Sequence, residues 1–289
     1  MTKHYFDNTR MSDYQECPRK YAIRHLWDLV PNRKSMPLYF GSTMHDCLSK
    51  WYETGDVKEA LTVWDEYEDN QWDEKRTKSR GTDIAISYFA TYPSEPFKII
   101  SNEMPFEVHL VTIADDEYYL MGKIDLAIEW NNAIYVVDHK TTSQLGGSYF
   151  KQFKPSRQMP GYCIGLSKLL DKTVSGAFIN ALAVYKSKTK YERSLITYTP
   201  RKLVEYTLII PQLMQRMVDT EKVYKRVSED LDDKWTALNH SFLPNWDSCY
   251  NWGGCQYRDL CNANGAKSVV ETGYREEHWD PREEFAKDA

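Results

Sequence analysis

"GKIDLAIEWNNAIYVVDHKTT", residues 122–142, holds two apolar runs joined at Asn131–Asn132, with an aspartate set into each run. The β-branched and aromatic content reads as two strands, and the Asn–Asn pair as the hairpin turn between them. A carboxylate closing an apolar strand is costly unless a metal or a charged partner neutralises it. Placed at the ends of adjacent strands, Asp125 and Asp138 converge on one point. Two hard oxygens there suit Mg2+ or Mn2+, with water and phosphate completing the shell. Lys140 lies two residues beyond Asp138 and leaves the same strand face. Its ammonium could hold a water, ease its deprotonation or neutralise a phosphate. An ordinary surface salt bridge would use the same Asp-x-Lys, but the apolar "IYVV" leading into it favours a buried strand end.

Outward from this hairpin, "IISNEMPFEVHLVTI" gives a preceding strand from Ile99, and "SGAFINALAVYKS" and "YERSLITYTP" give two later ones. Residues 152–170 and 200–236 have helical spacing, the second with Pro211 as a kink. The first 35 residues read as helical and basic, and a helix is predicted from about Ser42 to a stop near Gly55. Residues 56–92 continue in charge-rich helical sequence. The order is that of an α/β fold, a mixed central sheet flanked by helices. A core spans about 36–200 with helical additions, within one domain over 1–262. A polar, charged tail at 263–289 is expected to be partly disordered.

With 289 residues, 42% hydrophobic and 27% charged, the chain can build a sizeable core. A net charge of −5 excludes a generic polyanion binder, so any nucleic-acid contact must come from local basic patches. No apolar stretch reaches membrane-spanning length, and the first residues lack the apolar run of a signal peptide. The expectation is a cytoplasmic protein, whose six cysteines serve as ligands or free thiols.

Two further segments extend the acidic pair. "GSTMH" puts Gly41 and His45 on the helix before the sheet, and "RQMPGY" puts Gln158 and Tyr162 on one face of the helix after it. Singly, these are an ordinary histidine and an ordinary glutamine. In order, the helical His, G-x-x-D (Gly122 to Asp125), D-x-K (Asp138 to Lys140) and Q-x-x-x-Y (Gln158 to Tyr162) resemble the RecB-like exonuclease branch of the PD-(D/E)XK nuclease superfamily. The resemblance covers roughly residues 10–262 and implies a restriction-endonuclease-like core and a divalent-metal-dependent deoxyribonuclease. It implies His45, Asp125 and Asp138 as metal ligands, the carbonyl of His139 as a further one, and Lys140 as the residue that positions water. Gln158 and Tyr162 would contact DNA. Glu103 in "NEMPFEV" falls where relatives carry a first-strand acid. Attack would be in line at phosphorus, with metal ions steadying the leaving oxygen. Pro160 departs from the pattern and is tolerable only if Gln158 opens its helix.

"CPRKY" at Cys17 resembles the element that opens iron–sulfur members of the same branch. The ligands implied are Cys17, Cys249, Cys255 and Cys261, holding a [4Fe–4S] cluster or a structural zinc ion. The spacing here is C-x5-C-x5-C, where relatives have C-x2-C-x5-C, so zinc or no metal stays open. Gly253 and Gly254 would let the longer loop fold back. Cys47 and Cys163 have no such company and read as core thiols.

The resemblance implies an exonuclease on single-stranded or resected DNA ends, as in the nuclease domains of bacterial recombination complexes of AddB/RecB type and CRISPR-associated nucleases. A partner complex of recombination, replication or CRISPR type goes with it. No phosphate-binding G-x-x-x-x-G-K-[ST] motor loop is present. Lys151, Lys154 and Arg157 would either follow a phosphate backbone or form a solvated loop. The alternatives are an endonuclease and a non-catalytic DNA-binding subunit.

Overall fold

The structure is a computed structural model that describes residues 1–231, 233–280 and 282. The elements begin with β1 (Thr2–Phe6), α1 (Asn8–Glu16), α2 (Pro18–His25), β2 (Leu29–Pro31), α3 (Met36–Thr54), α4 (Val57–Leu61) and α5 (Lys78–Thr91). The sheet segments β3 (Lys98–Ile113), β4 (Asp116–Trp130) and β5 (Ala133–Thr142) follow. Next come α6 (Gln158–Leu170), β6 (Val174–Ala183) and β7 (Tyr191–Thr197). The chain ends with α7 (Pro200–Asp230), α8 (Lys234–Ser241), α9 (Arg258–Asn262), α10 (Lys267–Gly273) and β8 (Tyr274–Glu276).

Two compact units emerge. One comprises Ser35–Val108 and Gly122–Val204; the other comprises Met1–Lys34, His109–Met121 and the chain from Glu205. In the first, β4 and β5 are antiparallel, β5 and β6 parallel, and β6 and β7 antiparallel, with β3 on β4. This is a mixed sheet, and both α3 and α6 pack on β5. Its main apolar cluster joins Phe40, Met44 and Leu48 of α3 to Trp64, to Ile84 and Tyr88 of α5, and to Leu182 of β6. The periodicity that aims α3 inward therefore also sets the helix carrying His45. In the second unit, β1 runs parallel to the first residues of β4, and β2 pairs antiparallel with β8.

Several expectations change. The first 35 residues are not wholly helical, because β1 and β2 each find a strand partner distant in sequence. Helix α3 starts at Met36, ahead of Ser42: Pro37 stands in its first turn, where a missing N–H costs nothing. Gly55 ends it in the left-handed conformation, φ +69°. Residues 152–170 split into a 3-10 turn at Tyr149–Phe153 and α6. Helix α7 stops at Asp230 and continues through Pro211. The segment after 262 is not a disordered tail as far as it is described: α10 and β8 occupy it, and β8 pairs with β2. The remainder, residues 281 and 283–289, lies outside the described residues.

Candidate functional site: an acidic fork in the sheet

Asn131 and Asn132 both have positive φ, 49° and 60°, the geometry of a tight hairpin that follows strand twist. From there β4 and β5 pair in register from Trp130↔Ala133 to Leu126↔Val137. The pairing ends at that point, although both strands run on. The next two positions are Asp125 and Asp138. The aspartates thus stand inside long strands, where the ladder forks, and not at the strand ends. The His139 N–H no longer meets a backbone acceptor across the pair; it donates to Asp125 Oδ2 at 2.7 Å. A strand residue sends its N–H and C=O to the same side, so the His139 carbonyl faces the same fork.

Asp138 is 1% exposed, Asp125 8% and His139 2%. Lys140 Nζ lies 2.8 Å from Asp138 Oδ1 and 2.7 Å from Oδ2. Only the first contact is an aligned hydrogen bond; buried Oδ2 has the ammonium nearby but no aligned donor. His45 Nδ1 lies 3.4 Å from Asp125 Oδ2. Burial opposes ionisation of Asp125, yet His45, His139 and Lys140 hold its carboxyl well below the usual carboxylate range. Burial pushes Asp138 up, and the Asp125 charge adds to this against the pull of Lys140. Burial would lower His45 and Lys140, but the carboxylates outweigh it and raise both. The His139 ring, surrounded by buried groups, is pushed down to about 3 and stays neutral.

Glu103 sits in β3 with φ +50°, an irregularity that bends the strand locally. Burial raises its carboxyl, and Lys123 Nζ pairs with it at 2.8 Å. Glu103, Lys123, Asp125, His45, Lys140 and Asp46 line one cavity of about 480 Å³. Asp46 and Lys123 were not singled out from sequence, although one follows His45 directly and the other lies inside "GKID". Gly41 lets α3 approach β5: a Cβ there would stand 3.2 Å from Thr141 Oγ1.

Helix α6 opens at Gln158, so Pro160 falls in the first turn, among residues whose N–H has no helical partner. Gln158 Nε2 donates to the Tyr162 hydroxyl at 3.0 Å. Phe106 packs edge-on against Tyr162, centroids 5.9 Å apart. A Cβ on Gly122 would come within 2.8 Å of Phe106 and 3.0 Å of Tyr162. The glycine of G-x-x-D is thus required first by the Phe106 ring and then by the Tyr162 ring of Q-x-x-x-Y, which packs against it. Lys151 falls in the 3-10 turn before α6, and Lys154 and Arg157 follow it.

In the other unit, Cys17 separates α1 from α2, Cys249 and Cys255 flank the loop after α8, and Cys261 lies on α9. The Asn245 N–H donates to Cys17 Sγ at 3.3 Å, and its side chain donates to the Glu16 carbonyl at 2.8 Å. The Cys255 N–H donates to the Cys249 carbonyl at 2.8 Å, with Gly253 and Gly254 at φ +96° and +106° turning the loop. Burial raises the Cys255 and Cys261 thiols, against the pull of Lys20 and Arg19 respectively. Cys47 and Cys163 are fully buried, and burial pushes them up to about 11 and 12. Among the described residues, no three His, Cys, Asp or Glu side chains form a group that could hold a metal ion as they stand.

The sequence matches the PD-(D/E)XK nuclease superfamily over residues 8–262, and the chain belongs to that superfamily. No curated protein matches it. Among solved structures, one titled "Crystal structure of SSO0001" is distantly similar. It has a TM-score of 0.31 and 12% identity over 72% of this chain and 76% of that one. Among the described residues, no helix is long and apolar enough to cross a membrane.

Proposed function

We propose that this nuclease is a divalent-metal-dependent DNA exonuclease of the RecB-like kind, acting on single-stranded or resected ends. The observation that supports the metal-dependent reading is the fork, where the buried Asp125 and Asp138 follow the last rung of the β4–β5 ladder, with His45 on Asp125 and Lys140 on Asp138. The donor set fits a hard cation: two carboxylates and a carbonyl, with the buried Asp138 Oδ2 lacking an aligned donor. Mg2+ or Mn2+ held there would activate water and offset phosphate charge. Lys140, held charged by the two aspartates, would keep an ammonium beside the phosphate and can donate a hydrogen bond that steadies an approaching water. Glu103 and Lys123 line the same cavity as an ion pair. Gln158 and Tyr162 present a hydroxyl and an amide to a strand threading past the fork.

The preference for ends is supported by the ordered Q-x-x-x-Y resemblance and by the bond between Gln158 and Tyr162. Digestion of end-labelled linear and covalently closed circular single strands, with Mg2+ or Mn2+ and with EDTA, tests both parts. Metal-dependent loss of the linear strand alone is expected. Equal loss of circles makes the protein an endonuclease, and no loss with either metal overturns the active-site reading.

The four thiols of Cys17, Cys249, Cys255 and Cys261 are proposed as a structural site for a [4Fe–4S] cluster, with zinc as the alternative. Supporting this, Asn245 reaches from the Cys249 segment to Cys17, and Arg19 and Lys20 place positive charge beside the sulfurs. Metal analysis of anaerobically purified protein distinguishes about four irons from one zinc. A role inside a recombination, replication or CRISPR-type complex follows only from the same resemblance.

A further inference from the structure

Behind the fork lies a buried polar chain whose hydrogen bonds can be directed one by one. Arg193 Nε can only donate, so the Asn180 atom 3.2 Å from it is the amide oxygen. The Asn180 NH2 group therefore faces the Tyr88 hydroxyl at 2.8 Å and His139 Nδ1 at 2.7 Å. His139 Nδ1 must accept, which puts the proton of the neutral ring on Nε2. The Tyr88 oxygen accepts from Asn180 and from Arg193 Nη2 at 2.7 Å. Its own proton goes to the Tyr52 oxygen 2.8 Å away, because the Tyr52 hydroxyl is donated to Glu95 Oε1 at 2.7 Å. Glu95 also takes both terminal nitrogens of Arg193, at 2.5 and 2.7 Å. Asn180 and Tyr88 are 0% exposed. A chain with every donor direction determined rigidifies what it touches.

What it touches is the ring of His139. Tyr52 stacks on that ring (interplanar angle 7°), His45 meets it edge-on at 5.9 Å, and Asn180 is its register partner across β5 and β6. The main chain of the same residue donates its N–H to Asp125. On its β4 side, β5 has lost its ladder at this point while the β6 ladder runs on, so the ring, held by Asn180, joins the β6 pairing in resisting rotation of the peptide at the fork. We propose that Asn180, oriented by the partly buried Arg193–Glu95 pair, is a positioning residue: it locks the His139 ring and thereby the amide and carbonyl facing Asp125. The inference rests on the metal-dependent reading of the fork.

Two measurements test it. Long-range 1H–15N spectra of the histidine rings in the wild-type protein should show His139 protonated at Nε2, and this needs neither metal nor DNA. In Asn180→Leu, Mn2+ affinity followed by electron paramagnetic resonance should weaken about 10–100-fold, as for loss of an outer partner of a metal site. The Mn2+ requirement for cleavage should shift by the same factor, with a cooperative unfolding transition retained. Asn180→Asp keeps the size and the Arg193 bond but offers His139 Nδ1 an acceptor; the ring proton should move to Nδ1. Asn180→Ala, which also removes the ring's partner, replaces Asn180→Leu in the affinity test if that variant does not fold. Wild-type His139 protonated at Nδ1, or a folded Asn180→Leu or Asn180→Ala protein with unchanged Mn2+ affinity, overturns the proposal. A wild-type protein that binds no Mn2+ and cuts no DNA overturns the nuclease site instead, and the ring tautomer still decides the role of Asn180.

Discussion

The acidic fork and the thiol segment are built on opposite plans. At the fork, each group is delivered by a long element: β4, β5 and α3 carry Asp125, Asp138, Lys140 and His45, and the ladder and apolar core hold them. The four thiols come from a helix junction, a glycine-turned loop and a short helix, tied mainly by Asn245. A scaffold of strands can hold like charges near each other before any ligand arrives. A scaffold of loops depends on what it binds. The fork should therefore lose chemistry and keep its fold when damaged, whereas the thiol segment should lose structure.

The largest expected effect is at the fork. Asp138→Ala should reduce DNA cleavage to background, and Lys140→Ala should cost on the order of 10²–10⁴-fold, with the unfolding midpoint little changed. A Lys140→Ala protein that cleaves at the wild-type rate would remove that residue from the chemistry. Next, Cys17→Ser or Cys255→Ser should strip bound iron or zinc and lower the melting temperature by several degrees, since the site closes a very long loop. Cys47→Ser and Cys163→Ser should leave the metal content unchanged. Equal metal loss from all four variants would erase the distinction between ligand and core thiols.

A smaller effect is expected from Gln158→Ala and Tyr162→Phe. Each should slow degradation of linear strands about tenfold while Mn2+ affinity stays within twofold, because Gln158 Nε2 is bonded to the Tyr162 hydroxyl on α6, apart from the strands that carry the carboxylates. A large drop in Mn2+ affinity would assign them to the metal site. The smallest effect concerns pH. His25 is buried against Asp13, Nε2 to Oδ2 at 2.9 Å, and burial lowers its pKa. The folded value lies below the unfolded one of about 6.5, so stability is lost as pH falls below that value. The loss is at most about 1.4 kcal/mol per pH unit for one proton. Urea midpoints at pH 7, 6 and 5 should fall, with the more strongly depressed His139 contributing as well, and His25→Asn should remove only the His25 share of the slope.

The hairpin, its Asn–Asn turn and the side-by-side acids were legible because they are local: the period of two and the turn chemistry lie within one short stretch. The fork was not legible, since where a ladder stops is decided by partners on both sides of the strand. Asp46 and Lys123 hid for a simpler reason, being ordinary polar neighbours of motif residues until a cavity gathers them. Asn180 and Arg193 lie on β6 and β7 and acquire meaning only through His139. The strands β1, β2 and β8 are short and pair with segments far away in sequence, so nothing local marks them as strands. The helix start near Gln158 was constrained by Pro160, because a proline fits a helix without loss only within its first turn.

The hairpin that joins the two acids also fixes their phase. Its paired residues put an Asp on each arm one step beyond the last rung. An extra residue in the tip can be absorbed as a longer loop, leaving both carboxylates where they are. Deleting one residue between Leu126 and Trp130 would instead turn Asp125 to the opposite face of the sheet while Asp138 stayed in place. Length variation in this family member should therefore be tolerated at Asn131–Asn132 and rejected one residue to either side, an asymmetry that a library of single insertions and deletions across 122–142 would display directly.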